Sequence, residues 1–493
     1  MRLSLAPLMV LALSTSCTRP PAPDTAPGAA ERLRADLEVL AGDALEGRGT
    51  PSRGLDTAAL YLETQLRLAG VQPGLPDGFR QWYRIGEYTP KDAKVAVKLD
   101  GRAVSPADSV LINFGRDPAL GPIAVDLVDA GFGVVLTEKK VDELAGLDVR
   151  RKGVVAKKGA AWKPDPQAVF GADRAMGKLL AAAARGAQVL VYSTPELLDG
   201  AEAETAFFNQ MKDVTVGFVR EPGLGPAGLG TGQPASALNP VLLIRPAALG
   251  ASPKRLEIRI DAPVRDGRAS NVIGRIQGTD LALRDQWVVL TAHYDHLGSH
   301  DVPPGQDGIW NGADDNASGT TVVVELARRF AARPGRRSIL VLLTSGEDRG
   351  VLGSAFYSLH PVVPMDRVVA NVNVDMVGRS SGQVQAIADG TPQLFEQAVE
   401  AGRRHGLQVI PDQQPSWRVS YLIDSYHFLR FNVPAVFFFT GVHPDYHQPS
   451  DTAAKIRYNE LARILELATD VTRWYAEGAP KPEFRRPEWF LTP

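Results

Sequence analysis

Trp287-Val-Val-Leu-Thr-Ala-His293-Tyr-Asp295-His296 carries a short, uncharged and mostly apolar run straight into imidazole and carboxylate. A run of that length and texture reads as a strand buried on both faces. The arrangement recurs. Ser338 to Thr344 leads to Glu347 and Asp348, Val368 to Val374 to Asp375, and Pro434 to Phe439 to His443, Asp445 and His447. An amphipathic helix is predicted from Gly319 to Ala332, and another from Leu461 to Trp474. Buried strands separated by helices predict an α/β fold with a mostly parallel central sheet flanked by helices. In open sheets of this kind, ligands bind beyond the carboxyl ends of the strands. Every predicted core strand empties there into acid or imidazole, and no lysine or arginine precedes Arg349 at those ends.

Acidic groups that converge without a cation repel one another, and a multivalent metal is the simplest neutraliser. Histidine with aspartate and glutamate, and no cysteine, suits zinc in a catalytic site. A single catalytic zinc takes three protein ligands, whereas two ions sharing a carboxylate take about five, which fits this donor count better. Such a pair polarises a carbonyl and acidifies a shared water, and a carboxylate outside the ligand set must then carry the proton. Taken singly, these residues have ordinary explanations. His293 alone would be a hydrogen-bonded histidine, and Glu347-Asp348 alone a solvated turn. Asp375 has the strongest individual case, because an acid ending a buried apolar strand has no cheap structural excuse.

Five ordered motifs carry a family resemblance: His293-Tyr-Asp295-His, Asn311-Gly-Ala-Asp-Asp315-Asn316-Ala-Ser-Gly319, Gly346-Glu347-Asp348, Asn373-Val-Asp375-Met-Val-Gly378 and Tyr446-His447-Gln-Pro-Ser-Asp451-Thr452. Together they resemble the M28 metallopeptidases, co-catalytic zinc exopeptidases. The resemblance implies two Zn2+ per chain, with His293 and Asp348 on separate ions completed by Asp375 and His447, and with Asp315 bridging. It implies Glu347 as general base, and Asp295 behind His293 fixing its tautomer. It also implies a cis peptide after Asp315, and a peptide substrate cleaved at its amino terminus. Two departures stand out. Asp348 occupies a position where glutamate is common, and Ile423-Asp424-Ser425 replaces the Ser-Asp-His that usually precedes Phe428. That leaves Tyr421, Tyr426 and His427 as unranked candidates for steadying an oxyanion. His443 is expected at the rim, His296 and His300 in loops, Asp314 as a capping acid, and Asp451 within the turn that holds His447. Two other classes compete: a non-catalytic receptor-like relative, and a single-zinc glutaminyl cyclase on the same fold.

Around this core, 31–98 and 261–478 are expected to form the catalytic unit and 479–493 a tail. Its first part holds two helical patterns between Ala30 and Ala69, separated by Gly42 to Gly54. The segment 99–260 reads as a smaller inserted α/β module without clustered catalytic-type side chains. It resembles a protease-associated (PA) domain, which would gate the site. At the amino terminus, Met1-Arg2, the apolar Leu3 to Leu13 and small residues before Cys17 read as an export signal over 1–17. This arrangement resembles a bacterial lipoprotein signal, implying a lipid anchor at Cys17, with 18–30 as a tether and a periplasmic or envelope location. Cys17 is the sole cysteine, which excludes an intrachain disulfide and a thiolate zinc site. A formal net charge of -2 gives no support to nucleic acid as a partner.

Overall fold

The computed structural model describes residues 28–487 apart from 113–114, 137–138, 163–170, 212–214, 221–238 and 416–417. The signal reading of 1–17, the Cys17 anchor, most of the tether and the last six residues of the tail lie outside the described residues.

The sheet that carries the site has ten strands. At its centre Ser338–Thr344, Trp287–His293, Val368–Val374 and Ala435–Phe439 lie side by side and parallel. Nearly every residue in these strands is buried, as their continuous apolar sequence requires. The sheet as a whole is mixed, which corrects the expectation of a mostly parallel one. Arg80–Tyr88 and Arg265–Ile276 pair antiparallel with each other, and the second of them pairs antiparallel with Ser338–Thr344. On the far side Gln383–Ile387 runs antiparallel to Ala435–Phe439. Arg80–Tyr88 shows the reason, since its residues alternate between buried and exposed and it needs cover on one face only.

Gly319–Ala332 and Tyr458–Ala476 cover the sheet together with Gly28–Leu40 and Arg53–Leu68. Leu33, Leu37 and Leu40 of the first helix meet Val323, Ala327 and Leu461 in the main core. That helix starts at Gly28, so the last three residues of the expected tether are helical. The described part of the tail packs on the catalytic unit. Ala479 offers its carbonyl to Arg337, and the amide of Arg485 donates to the carbonyl of Gly390.

A second sheet of eight strands draws on Lys94–Leu99 through Arg255–Asp261, with Ala175–Ala183 packed on it. Two observations cut across the expected boundaries. Lys94–Leu99 belongs to this second sheet, and Val216–Val219 leaves it to pair with Arg80–Tyr88 of the main one. The lobe also holds the polar cluster that its sequence did not announce. The Glu204 carboxylate accepts from the Ala175 amide and the Tyr192 hydroxyl, and Lys178 Nζ donates to the carbonyls of Lys157 and Gly159. Tyr421 and Tyr426 pack against Leu180 and Ala184 of this lobe, away from the cleft described below.

Candidate metal centre

Parallel register brings the motif residues together. His293 lies opposite Thr344 in one neighbouring strand, and Thr291 lies opposite Asn373 in the other. The carboxyl ends of three strands therefore sit level, with His293, Glu347-Asp348 and Asp375 beyond them. Asp315 arrives from the turn before Gly319–Ala332. The Asn316 side chain pins that turn by donating to the Val374 carbonyl and accepting from the amides of Gly319 and Met376. The Asp315–Asn316 peptide is cis. Gly312 adopts φ 57°, and a Cβ there would fall 2.2 Å from the Asp315 carbonyl, so the approach tolerates only glycine.

Two sets of donors result. Nε2 of His293 lies 3.2 Å from Asp315 Oδ1 and 3.4 Å from Asp375 Oδ2. On the opposite side of Asp315, Nε2 of His447 lies 3.2 Å from Asp315 Oδ2 and 3.2 Å from Asp348 Oδ1. His296, expected in a loop, enters this second set, its Nδ1 at 2.8 Å from Asp348 Oδ2. It is fully buried. The ring nitrogens that face the acids, Nε2 of His293 and of His447, are buried without a hydrogen-bond partner, as is Asp375 Oδ1. Orphaned buried donors of this kind, converging on shared carboxylates with no thiolate among them, fit zinc.

The electrostatics follow from crowding. Burial alone would lower the His293 pKa, but Asp375, Glu347, Asp295 and Asp315 reverse this and raise it well above the usual imidazole range. His447 is likewise lowered by burial and then lifted to about 10 by Asp315 and Asp348. Burial and Asp348 push the Asp315 carboxyl upward, yet His296, His293 and His447 hold it below the ordinary range. Asp375 is pushed up to about 6, first by burial. Glu347 is raised well above the usual carboxylate range by burial, with Asp348 and Asp375 adding to the rise and His293 opposing it.

Around these groups runs a supporting layer. Asp295 Oδ1 accepts from the Glu347 amide, Oδ2 accepts from the Thr50 hydroxyl, and Nδ1 of His293 stands 3.6 Å away, beyond hydrogen-bond reach. Asp451 bonds within the turn that holds His447 through its amide, which donates to the Gln448 carbonyl, while its side chain reaches across. Its Oδ2 accepts from the amides of Asp314 and Asp315, and its Oδ1 accepts from Arg379. Asp314 accepts from the Gly378 amide and faces His443 at 3.1 Å, so His443 is spoken for outside the donor sets. His300 packs edge-on to Trp310, whose indole donates to the His447 carbonyl.

Two residues escaped the sequence reading. Tyr446 stacks on the His447 ring with centroids 3.8 Å apart, and burial followed by four surrounding carboxylates keeps its phenol protonated. Its place beside His447 in the motif was the available signal. Arg48 is buried beneath the site and donates to the carbonyls of Leu40, Tyr294, Asn311 and Gly312. It lies in the glycine-punctuated segment between two helices, which reads locally as a spacer. His427 has both ring nitrogens buried without a partner, and burial depresses its pKa well below the usual range.

Asp315, Glu347, Asp348, Asp375 and Tyr446 line one side of a cleft of about 780 Å³ that includes its open mouth, and Met376, Ile387, Ile423, Phe437 and Phe439 form an apolar wall. Tyr421, Tyr426 and His427 do not line it.

The family model described as Peptidase family M28 matches residues 271–472. The matched segment contains every residue of both donor sets. An aminopeptidase of Bacillus subtilis is 28% identical over 222 residues, 44% of this chain and 46% of that one. A protein of Leptosphaeria maculans described as a "Probable zinc metalloprotease" is 32% identical over 154 residues, 30% of this chain and 34% of that one. The chain thus spans between about a third and a half of the length of these curated relatives. In three dimensions it is similar to an aminopeptidase from Aneurinibacillus sp. strain AM-1, with TM-score 0.50 and 18% identity, covering 94% of this chain and 97% of that one. At that identity the likeness speaks to the fold.

Proposed function

We propose that this chain is a zinc-dependent exopeptidase that removes residues from the amino terminus of peptides, with two Zn2+ at positions that share Asp315. The observation that carries this reading is the pair of donor sets meeting at Asp315, with Glu347 beside them in one cleft and outside both sets. His293, Asp315 and Asp375 would hold one ion, and Asp315, Asp348 and His447 the other. When bound, zinc supplies a Lewis acid for the peptide carbonyl and a lowered pKa for water.

The remaining work belongs to this chain's side chains. Glu347 takes a proton from the attacking water at its carboxylate and delivers it to the nitrogen of the departing amine. Tyr446, kept neutral, donates its phenolic hydrogen toward the oxygen on which negative charge develops. Asp295 holds the Glu347 backbone, and the apolar wall receives the side chain of the residue being removed. A second donor set is more than a single-zinc cyclase requires, and complete ligand chemistry argues against a metal-free receptor.

The inserted lobe fits a PA-type gating role because Arg349, next to Asp348, donates to the carbonyl of its Thr215. An exported, lipid-tethered protein is the reading of 1–17. No helix among the described residues is long and apolar enough to cross a membrane.

The test is Glu347→Gln. Zinc content should stay at the wild-type level while turnover of amino-acid arylamides falls by about 10² or more. Peptides with blocked amino termini should remain uncut by the wild type. Near-wild-type turnover in a zinc-replete variant overturns the assignment.

A further inference from the structure

The two donor sets are unequal, and His296 makes the difference. Around a tetrahedral zinc with bonds of about 2.0–2.1 Å, neighbouring donor atoms lie roughly 3.3 Å apart. At the Asp375 position the separations from His293 are 3.2 and 3.4 Å. At the Asp348 position, His447 stands 3.2 Å from both carboxylates. His296 Nδ1 stands 2.8 Å from Asp348 Oδ2, the oxygen other than the one His447 approaches, and 3.7 Å from Asp315 Oδ2, so that His296, Asp315 and Asp348 also converge as a set of three donors.

Resting on the metallopeptidase reading above, we propose that His296 is itself a metal ligand. The Asp348 position then has four protein donors, Asp315, Asp348, His296 and His447, while the Asp375 position has three, His293, Asp315 and Asp375. Four protein donors make a closed site of the structural kind, and three leave a place open for water or substrate. The Asp348 ion is therefore the tightly held one, and the Asp375 ion is the exchangeable one on which an incoming ligand can land.

The backbone holds His296 for this purpose. Its amide donates to the Arg48 carbonyl, and it forms an isolated parallel bridge with Gly49. Its ring lies against Gly312, where a Cβ would come within 2.5 Å of the ring carbon. The imidazole therefore packs directly against the Gly312 backbone. Asp348 is one methylene shorter than the glutamate common at its position, and a second imidazole on this ion completes a set that Asp315, Asp348 and His447 leave one donor short of tetrahedral closure.

The competing role for His296 is to hydrogen-bond Asp348 from behind, and the two roles separate in the full-length, zinc-loaded protein. X-ray absorption at the zinc edge counts imidazoles, and three histidines over two ions give an average of 1.5 per zinc, against 1.0 if His296 is not a ligand. The expected wild-type value is 1.5, falling to 1.0 in His296→Asn, which keeps a hydrogen-bond donor. In parallel, zinc content is measured after equilibration against graded chelator. The wild type should release its ions in two steps of one equivalent. His296→Asn should weaken the tighter step by more than the roughly 10- to 100-fold that losing a group behind a ligand costs. Two zincs with one imidazole each in the wild type overturn this proposal and leave the exopeptidase reading intact. A folded chain that binds no zinc overturns that reading as well.

Discussion

Replacing Arg48 by methionine should cost the protein about 3 kcal/mol of stability, although its side chain touches neither metal set. Its guanidinium is the shared donor for four main-chain carbonyls from separate parts of the chain: Leu40 ends a helix, Tyr294 follows the His293 strand, and Asn311 and Gly312 precede Asp315. Methionine fills similar space and donates nothing. The Gly312 carbonyl also accepts from the Ala317 amide, so three acceptors are stranded, and at about 1–3 kcal/mol each the low end gives about 3 kcal/mol. Removing one partner of a buried charged network costs about 3–5 kcal/mol, which agrees. Burial lowers the Arg48 pKa to about 10, while Asp295, Asp315, Asp348 and Asp451 support the charge, so it stays a cation at physiological pH. A domain's net stability is about 5–15 kcal/mol, so the loss is a large fraction of it. The assay is urea unfolding followed by circular dichroism in chelator, so that metal binding does not mask the difference. Arg48→Lys is the control. It keeps the charge but presents one nitrogen where the fork presents three, and it should recover no more than half of the loss. A methionine variant within about 1 kcal/mol of wild type, or a lysine variant equal to wild type, would refute the claim that the fork of hydrogen bonds joins these segments.

The other predictions are read with simpler assays. Asp389 accepts from the Ser420 hydroxyl, and burial raises its pKa to about 6, with Asp412 adding to the rise. The native state thus binds this proton more tightly than the unfolded one, so the carboxyl is harmless below pH ~4 and increasingly costly as pH climbs through 6. Asp389→Asn should be more stable than wild type at pH 8, by at most about 3 kcal/mol at 1.4 kcal/mol per unit, and indistinguishable at pH 4; an equal gain at both values contradicts the titration. Tyr446→Phe should lower kcat by about 10² while KM and zinc content change little, as expected when a donor to developing charge is lost. If KM rises and kcat holds, Tyr446 serves ground-state binding instead. Arylamides of leucine and phenylalanine should exceed that of glutamate in kcat/KM by at least about tenfold, because the wall of Ile387, Ile423, Phe437 and Phe439 cannot pair a buried carboxylate and Asp412 in the same lining would repel it. A preference for glutamate would place the substrate side chain elsewhere.

The sheet shows where reading by sequence stops. The four parallel strands are short apolar runs whose signal is complete within seven or fewer residues, and each was found within one residue of its observed limits. The antiparallel half was missed as a pairing pattern. Arg80–Tyr88 alternates as an exposed strand should, but nothing in its own residues names Arg265–Ile276 as its partner, almost two hundred positions away. Separation along the chain likewise hid Val216–Val219, an apolar stretch inside the insertion that completes the edge of the main sheet.

The chemistry divides along the same line. Sequence alone determined which side chains end the buried strands, because an acid or imidazole after a run that must be dry is expensive and therefore conspicuous; His293, Glu347, Asp348 and Asp375 were legible in that way. Tertiary structure decided who stands beside whom. It drew His296 from its loop into the set at Asp348, sent Asp451 to the amides of Asp314 and Asp315, and placed Arg48 beneath the site. These contacts obey no local period. They depend on parallel register and on close approach at Gly312, which bring together groups that lie from tens to hundreds of residues apart along the chain.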